Sequence, residues 1–166
     1  MVTFIVRPAV LEDARTLANI IHGAFAQYRG GLVPPSAALG ETQERIAVEL
    51  AGPHRAAVAE LEGPPEASGV AAGCVLFRPE GEDLYFGRLS VLPRYRGEGI
   101  ATALVAYVEA EAARSGCPGV VLGVRIALPA NQRFFARLGY VEVARHAHPG
   151  FDHDTSIEMR KVVGSS

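Results

Sequence analysis

The chain has 166 residues, of which 49% are hydrophobic and 20% are charged, and its formal net charge at pH 7 is −2. This composition is typical of one globular domain that buries a core without needing a disulfide or a metal. Proteins that bind nucleic acid along its phosphate backbone usually carry an excess of positive charge. This chain has none, so nucleic acid is not an expected partner.

In chain order, the hydrophobic periodicities predict an alternation of strands and helices. They predict strand 3–7, helix 11–25, loop 30–35, helix 42–51, strands 56–61, 70–78 and 84–92, helix 97–115, strand 120–126, helix 130–138, and strands 140–145 and 156–162. The nearly all-apolar strand 120–126 is expected at the centre of the sheet. The sequence therefore predicts one α/β domain over residues 1–163 with a mixed sheet, followed by a flexible tail at 164–166.

The first residues, the apolar runs and the two cysteines of the sequence bear on the location and redox state of the protein. The segment Met1–Pro8 lacks the charged and apolar regions of a signal peptide, and no apolar run approaches the roughly 20 residues that span a bilayer. We therefore expect a cytoplasmic protein without a membrane partner. Cys74 and Cys117 have neither CxxC nor zinc spacing, so we expect reduced thiols.

The segment most informative about chemistry joins the predicted strand 84–92 to the helix 97–115. It reads Arg94-Tyr95-Arg96-Gly97-Glu98-Gly99. The first N–H groups of a helix have no internal partner and lie at the positive end of its dipole, so a pyrophosphate can bind there if side chains leave room. Gly97 and Gly99 leave that room, and Arg94 and Arg96 add positive charge.

Other phosphate-binding loops fit this segment less well. The sequence contains no GxxxxGK[ST], and Thr102 stands where a dinucleotide fingerprint needs its third glycine. A nucleotide-binding or other phosphate-binding module remains an alternative that uses the same loop.

The segment 94–99 matches the signature [QR]-x-x-G-x-[GA], and the chain resembles the GNAT superfamily of acyl-CoA N-acyltransferases. Two further segments carry the resemblance. Arg7-Pro8 before Glu12-Asp13-Ala14 is similar to the family's opening, and residues 131–140 are similar to its closing helix and terminal Gly-aromatic pair. The resemblance covers nearly the whole chain.

The resemblance implies a single-domain GNAT-like fold of the α/β (α+β) class, with six to seven strands in a mixed sheet, about four helices, and a splay between the fourth and fifth strands. It also implies acetyl-CoA as co-substrate and no metal. The residues expected to contact acetyl-CoA lie on the fourth strand, the following loop and the closing helix: Leu89, Ser90, Val91, Arg94, Arg96, Gly97, Glu98, Gly99, Ile100, Ala101, Thr102, Asn131, Phe134 and Phe135.

The implied reaction is direct attack of an amine on the thioester, which needs a proton acceptor and donors for the developing oxyanion. By family position the N–H of Val91 is the expected oxyanion donor. The sequence departs from the family in its acid, because Phe135 stands where many relatives have a tyrosine. It also has no carboxylate in the strand 84–90, where relatives often place a base.

The proton acceptor therefore stays open among several side chains. The candidates are His22, Tyr28, Tyr85, Ser90 and the segment 146–154. That segment has three histidines and two aspartates, which could bind a metal, form a plain polar loop, or supply a base. We favour His148 as the base, with Tyr85 as a second catalytic candidate.

The acceptor side is expected to include His22, Tyr28 and Arg29, and Arg29 favours an acceptor that carries a carboxylate, such as an amino acid. A primary amine of a small molecule is the expected acceptor, and a homodimer is an expected assembly because many relatives dimerise. The alternative from another class is a non-catalytic acyl-CoA sensor, favoured by Phe135 and by the missing strand carboxylate.

Overall fold

A computed structural model describes residues 2–164 and contains seven strands and four helices in that range. The strands are β1 (Thr3–Pro8), β2 (Arg55–Glu62), β3 (Ala71–Glu80), β4 (Asp83–Val91), β5 (Gly119–Arg125), β6 (Val141–His146) and β7 (Ser156–Val162). The helices are α1 (Ala14–Phe25), α2 (Gln43–Ala51), α3 (Ile100–Arg114) and α4 (Pro129–Arg137). Apart from Gly164, the predicted tail lies outside the described residues.

All seven strands form one mixed sheet in the order β1-β2-β3-β4-β5-β7-β6. The pair β4–β5 is parallel, and the other neighbouring pairs are antiparallel. A parallel pair needs a crossover connection, and α3 provides it. The predicted mixed sheet and the single α/β domain are confirmed.

The sheet is covered on both faces, and the middle residues of the central strands β2 and β3 are apolar and buried. In β2 and β3, alternate side chains enter two different cores. One core contains Ala57, Ala59, Val75 and Phe77 with α3 and Phe135 of α4, and the other contains Ala56, Val58, Cys74 and Leu76 with α1 and the α2 residue Ile46. The domain therefore has three layers, with α1 and α2 on one face and α3 and α4 on the other.

The β4–β5 pair is short, and this opens the sheet. The paired residues are Leu84–Phe86 of β4 and Val120–Leu122 of β5. Beyond them β4 stays with β3 up to the pair Gly73–Val91, whereas β5 stays with β7 up to Arg125–Ser156. The predicted splay between the fourth and fifth strands is confirmed.

A β-bulge lies in β4 at the point where the sheet opens. The register between β3 and β4 shifts by one residue between Cys74 and Leu76, which leaves Arg88 and Leu89 opposite Val75. Arg88 has φ +56° and is the non-glycine residue with a positive φ in the described chain, 2–164. A bulge of this kind bends the strand and redirects its side chains.

Two boundaries differ from the sequence-based expectation in a way that matters for the site. The predicted helix 97–115 begins only at Ile100, because Gly97 and Gly99 adopt φ values of +78° and +84°. The predicted helix 11–25 begins with a 3-10 turn at Leu11–Asp13. Within residues 2–164, none of the helices is both long and apolar enough to cross a bilayer.

Candidate acyl-CoA site

The loop before α3 presents free backbone donors. Gly99 is the N-cap of α3, and its left-handed φ turns the chain into the helix. The N–H groups of Gly97, Glu98 and Gly99 donate no hydrogen bond within the part of the chain that the structure describes, and a Cβ built on either glycine would meet no atom within 4 Å. These donors lie at the positive end of the α3 dipole, an arrangement that suits an anion.

The two arginines of the loop have different surroundings. The Arg96 guanidinium donates to the Val91 carbonyl at 3.2 Å, to Gln27 Oε1 at 2.9 Å and to the Ala24 carbonyl at 3.0 Å. It therefore fastens the loop to the end of α1. Arg94 is exposed, and its guanidinium lies 5.9 Å from the centre of the Tyr95 ring, so its charge is available to an anion at the loop.

The open edge of β4 presents backbone donors toward β5. The Leu92 N–H donates to the Ala72 carbonyl at 2.9 Å, on the side of β3. Because successive N–H groups of a strand point to opposite sides, the Val91 N–H points toward the opening. The Ser90 hydroxyl is 2% exposed and donates to the Arg88 carbonyl at 2.8 Å, so Ser90 faces the core with its side chain.

The remaining residues predicted for acetyl-CoA contact lie on α3, β4 and α4 and differ in burial. Ala101 and the exposed Thr102 lie in the first turn of α3, whereas Ile100 is 1% exposed and packs in the core. Leu89 is half-buried against that core on β4. Asn131 and Phe134 are half-buried on α4, which contacts β5 across the opening.

Phe135 belongs to the core and not to a proton-transfer site. It is 9% exposed, and its ring packs against Phe86, Phe134 and Tyr140 with centroid distances of 5.9, 5.1 and 6.1 Å. Tyr140 donates its hydroxyl proton to Glu109 at 2.9 Å, and burial raises its pKa well above the usual value. Neither side chain is an acid placed at the opening.

Tyr85 lies on the α1–α2 face of β4, beside the opening. A Cβ at Gly123 would lie 3.5 Å from its hydroxyl oxygen, and the Arg78 guanidinium stacks 4.6 Å from its ring centre. Burial raises the pKa of Tyr85 above its ordinary value, against a smaller lowering by the charges of Arg78 and Arg88. Its hydroxyl therefore stays protonated near neutral pH and can donate a hydrogen bond.

His148 lies in the β6–β7 connection beside the end of β5. The Thr155 hydroxyl contacts its Nδ1 and accepts a hydrogen bond from its backbone N–H at 2.9 Å. Burial, and then the positive charge of Arg125, lower the pKa of His148 below its ordinary value. The ring therefore favours its neutral form at pH 7, and Nε2 can accept a proton in the tautomer in which Nδ1–H donates to the Thr155 hydroxyl.

The other histidines of that connection are turned to separate partners. His146 Nε2 lies 3.3 Å from Glu158, and His153 Nδ1 lies 2.9 Å from Asp152. Across residues 2–164, no group of three or more His, Cys, Asp and Glu side chains is arranged to hold a metal ion.

The three side chains predicted for the acceptor side lie at the end of α1. Tyr28 is half-buried and packs edge-on against Phe25 at 5.7 Å. Arg29 is exposed. His22 is half-buried, and its Nε2 has no hydrogen-bond partner among residues 2–164.

Comparison with known proteins shows to which family the chain belongs. The model of the acetyltransferase (GNAT) family matches residues 32–140, which is more than half of the chain. The chain belongs to the GNAT acetyltransferase family. A comparison with curated protein sequences finds no match.

Solved structures of other GNAT proteins share the fold along the whole chain. The ribosomal-protein-S18-alanine N-acetyltransferase of Escherichia coli is 16% identical with a TM-score of 0.73, and the match covers 99% of this chain and 96% of that one. The PaiA N-acetyltransferase of Thermoplasma acidophilum, solved with coenzyme A, is 16% identical with a TM-score of 0.72, and the match covers 94% and 98%. A GCN5-related N-acetyltransferase of Rhodopseudomonas palustris is 24% identical with a TM-score of 0.74, and the match covers 98% and 97%. At these identities the likeness shows the fold alone.

This GNAT structure also brings residues to the opening that the sequence did not single out. Arg125, at the end of β5, donates to the carbonyls of Pro34 and Pro35 at 2.8 and 3.2 Å, and Gln132 donates back to the Arg125 carbonyl at 3.0 Å. Glu41 is 1% exposed and pairs with Arg88 at 3.4 Å. An arginine as the single charged residue of the strand 84–91 was a signal for Arg88, whereas the burial of Glu41 depends on tertiary packing alone.

Proposed function

We propose that the protein is an acetyl-CoA-dependent N-acetyltransferase whose acceptor is a primary amine of a small molecule or an amino acid. The observation that carries this proposal is the position of the free N–H groups of Gly97–Gly99 directly after β4, at the edge where β4 and β5 separate. A ligand with a pyrophosphate at one end and an amide-bearing arm at the other suits this arrangement. The pyrophosphate would bind the N–H groups of the loop, and the arm would pair with the open edge of β4.

The described residues fit acetyl-CoA as co-substrate. Gly97 and Gly99 present N–H groups without obstructing side chains, and Arg94 supplies exposed positive charge for the pyrophosphate. Leu89, Ser90 and Val91 would contact the pantetheine arm through their backbone, since the Ser90 side chain is buried. Ala101, Thr102, Asn131 and Phe134 would form the walls on either side.

When bound, acetyl-CoA supplies a thioester carbonyl that a neutral amine can attack. The N–H of Val91 would donate to the oxygen of that carbonyl, and its direction toward the opening and its lack of a β5 partner support this role. Tyr85 can donate a second hydrogen bond from the other face of the strand. His148 is a candidate proton acceptor through its free Nε2.

The acceptor is bounded by the loop after α1 and by the β6–β7 connection. Arg29 is exposed at the start of that loop and favours a carboxylate on the acceptor. His22 and Tyr28 lie at the end of α1 nearby in the chain. A cytoplasmic location and a homodimer remain predictions.

Release of CoA from acetyl-CoA tests the proposal. Three acceptors separate the classes: 1,4-diaminobutane, L-alanine and a hexapeptide that begins with alanine, each followed by mass spectrometry of the acetylated product. We expect release with a small amine. Release with the hexapeptide alone would contradict the small-molecule part, and binding of acetyl-CoA without release with any acceptor would contradict transfer.

A non-catalytic acyl-CoA sensor is the second candidate. Phe135 favours it, because a phenylalanine has no proton to give and stands where many members of the family have an acid. CoA thiolate is nevertheless a tolerable leaving group, since a free thiol titrates near 8.5. The same release assay distinguishes the two functions.

A further inference from the structure

A buried carboxylate beside the β4 bulge lacks a full set of hydrogen-bond partners. Glu41, between a 3-10 turn and α2, is 1% exposed. Its Oε1 lies 3.4 Å from Arg88 Nη2, and its buried Oε2 has no hydrogen-bond partner among the described residues, 2–164. Buried carboxylates are normally paired and hydrogen-bonded, so the free oxygen calls for a donor from elsewhere.

The partner of Glu41 is held in an unfavourable backbone conformation. Arg88 has φ +56°, in the left-handed region that costs a side-chain-bearing residue free energy. The Ser90 hydroxyl fixes this conformation by donating to the Arg88 carbonyl at 2.8 Å. Residues held in such conformations persist where the surrounding structure determines them, and they are found most often at functional sites.

The bulge connects this pair to the proposed acetyl-CoA site. Arg88 immediately precedes Leu89 and lies three residues before Val91, on the part of β4 that has left β5. Because Glu41 reaches Arg88 from the α2 side, it lies on the face of the sheet that carries Tyr85 and α1. This is the face opposite α3, where the acceptor would approach.

The reaction needs a proton acceptor, and two of the other candidates, Tyr85 and His148, supply it poorly. An alkylamine is an ammonium ion at neutral pH and must lose a proton before it attacks. Tyr85 remains protonated, and His148 has only one free nitrogen, on a separate loop. A carboxylate with one unpartnered oxygen both attracts an ammonium and accepts its proton.

We infer that Glu41 is the proton acceptor for the amine and that Arg88 is the residue that positions it; this inference rests on the proposed function. The Arg88 contact holds Oε1 and leaves Oε2 free. At 3.4 Å the contact between Arg88 and Glu41 is longer than the 2.7–2.9 Å typical of charge-assisted hydrogen bonds. An incoming ammonium therefore does not have to compete with a short hydrogen bond from Arg88.

The step balances without a further reactant. The acceptor ammonium gives one proton to Oε2 of Glu41, directly or through one bridging water, and its freed lone pair forms the C–N bond as the C–S bond breaks. The second nitrogen proton passes to the departing sulfur, so that CoA leaves as a thiol. Glu41 then returns its proton to water.

The Glu41→Gln variant tests this inference, because it keeps the shape of the side chain and removes its charge. The matched control is Glu44→Gln, at an exposed position on α2. His148→Asn is the competing variant. We would measure kcat/KM against pH with the fastest amine of the panel, and by calorimetry the affinity of the same amine for protein saturated with CoA, which cannot turn over.

For Glu41→Gln we expect a loss of at least about 100-fold in kcat/KM at pH 7. The difference in kcat/KM between the variant and the wild type should narrow as pH rises toward the pKa of the amine, about 10, where the amine arrives deprotonated. The affinity of the amine for the CoA complex should fall about tenfold, with acetyl-CoA binding unchanged. Glu44→Gln should match the wild type.

Unchanged rate and amine affinity in Glu41→Gln would overturn the inference, as would a loss confined to His148→Asn. If Glu41→Gln does not fold, the double variant Glu41→Leu with Arg88→Met removes both charges, which buried pairs often tolerate, and should show the same loss. Failure of the proposed function itself would give a different result, which is seen in the wild-type protein. Wild-type protein that binds acetyl-CoA but releases CoA to neither amine nor water leaves no proton transfer for Glu41 to assist, and overturns both.

Discussion

The guanidinium of Arg125 donates from Nη1 to the Pro34 carbonyl at 2.8 Å, and this contact ties the end of β5 to the loop that follows α1. The same side chain reaches the Pro35 carbonyl at 3.2 Å, and its charge lowers the pKa of His148. Arg125 thus contacts one of the two loops proposed to bound the acceptor side, and its charge acts on a side chain of the other.

Arg125→Met should raise the KM for the amine about tenfold, because two hydrogen bonds to the loop are worth at least ~1.4 kcal/mol in its placement. The dissociation constant for acetyl-CoA should stay the same, since the α3 loop lies elsewhere. Arg133→Met, at an exposed position on α4, is the control. Steady-state kinetics and calorimetry separate the two effects, and a weakened acetyl-CoA affinity with unchanged KM would contradict this role.

Gly97→Glu should abolish acetyl-CoA binding, because the new carboxylate obstructs and repels a pyrophosphate at the loop. Gly116→Glu at the other end of α3 is a matched control. Both glycines have nearly the same φ, +78° and +77°, and both have open surroundings. Each substitution should therefore cost about 1 kcal/mol of stability, and only the first should weaken binding. Equal loss of binding in the two variants would show that the effect is not local to the loop.

Substitutions of Arg96 and Arg94 should differ in their effect on stability, although both should weaken acetyl-CoA binding. Arg96→Met removes three hydrogen bonds to Val91, Gln27 and Ala24, so the free energy of unfolding should fall by about 1–2 kcal/mol, along with acetyl-CoA affinity. Arg94→Met should weaken acetyl-CoA binding and leave urea unfolding unchanged. A stable Arg96→Met protein would argue against the contact with α1.

Phe135→Leu should act on stability and not on chemistry. The ring packs among Phe86, Phe134 and Tyr140, so we expect a loss of about 1–2 kcal/mol in the free energy of unfolding. The kcat of the folded variant should stay near that of the wild type. A large fall in kcat without a loss of stability would contradict this prediction and indicate that Phe135 acts at the reacting centre.

Acid should destabilise the wild type partly through His148. Its pKa is lowered in the folded protein, so below about 6.5 the unfolded chain takes up a proton that the folded chain does not, and folding free energy is lost as pH falls. Urea unfolding between pH 7.5 and pH 5 should show a smaller loss for His148→Asn than for the wild type. Parallel curves would contradict a depressed pKa.

The fold was largely predictable because its signals are local. Strand 156–162 has the predicted bounds, and the other predicted strands and helices are present with shifted ends. The nearly all-apolar strand 120–126 was expected inside the sheet, and β5 lies there, between β4 and β7. The start of α3 was placed too early because apolar periodicity does not reveal the positive φ of Gly97 and Gly99.

The candidate site was predictable only where it follows the chain. The loop at Arg94–Gly99 is contiguous and has a motif, whereas Glu41 and Arg88 are 47 residues apart and meet only through packing. The same holds for Arg125 and Pro34. The sequence indicated that residues 84–90 of β4 lack a carboxylate, but it could not indicate that one reaches the strand from the segment before α2.

Calorimetric titration of acetyl-CoA into the wild-type protein tests the central claim most directly. The account predicts saturable binding of one acetyl-CoA per chain, displaced by CoA and not by ATP. The absence of binding, or displacement by ATP but not by CoA, would contradict an acyl-CoA site at the α3 loop.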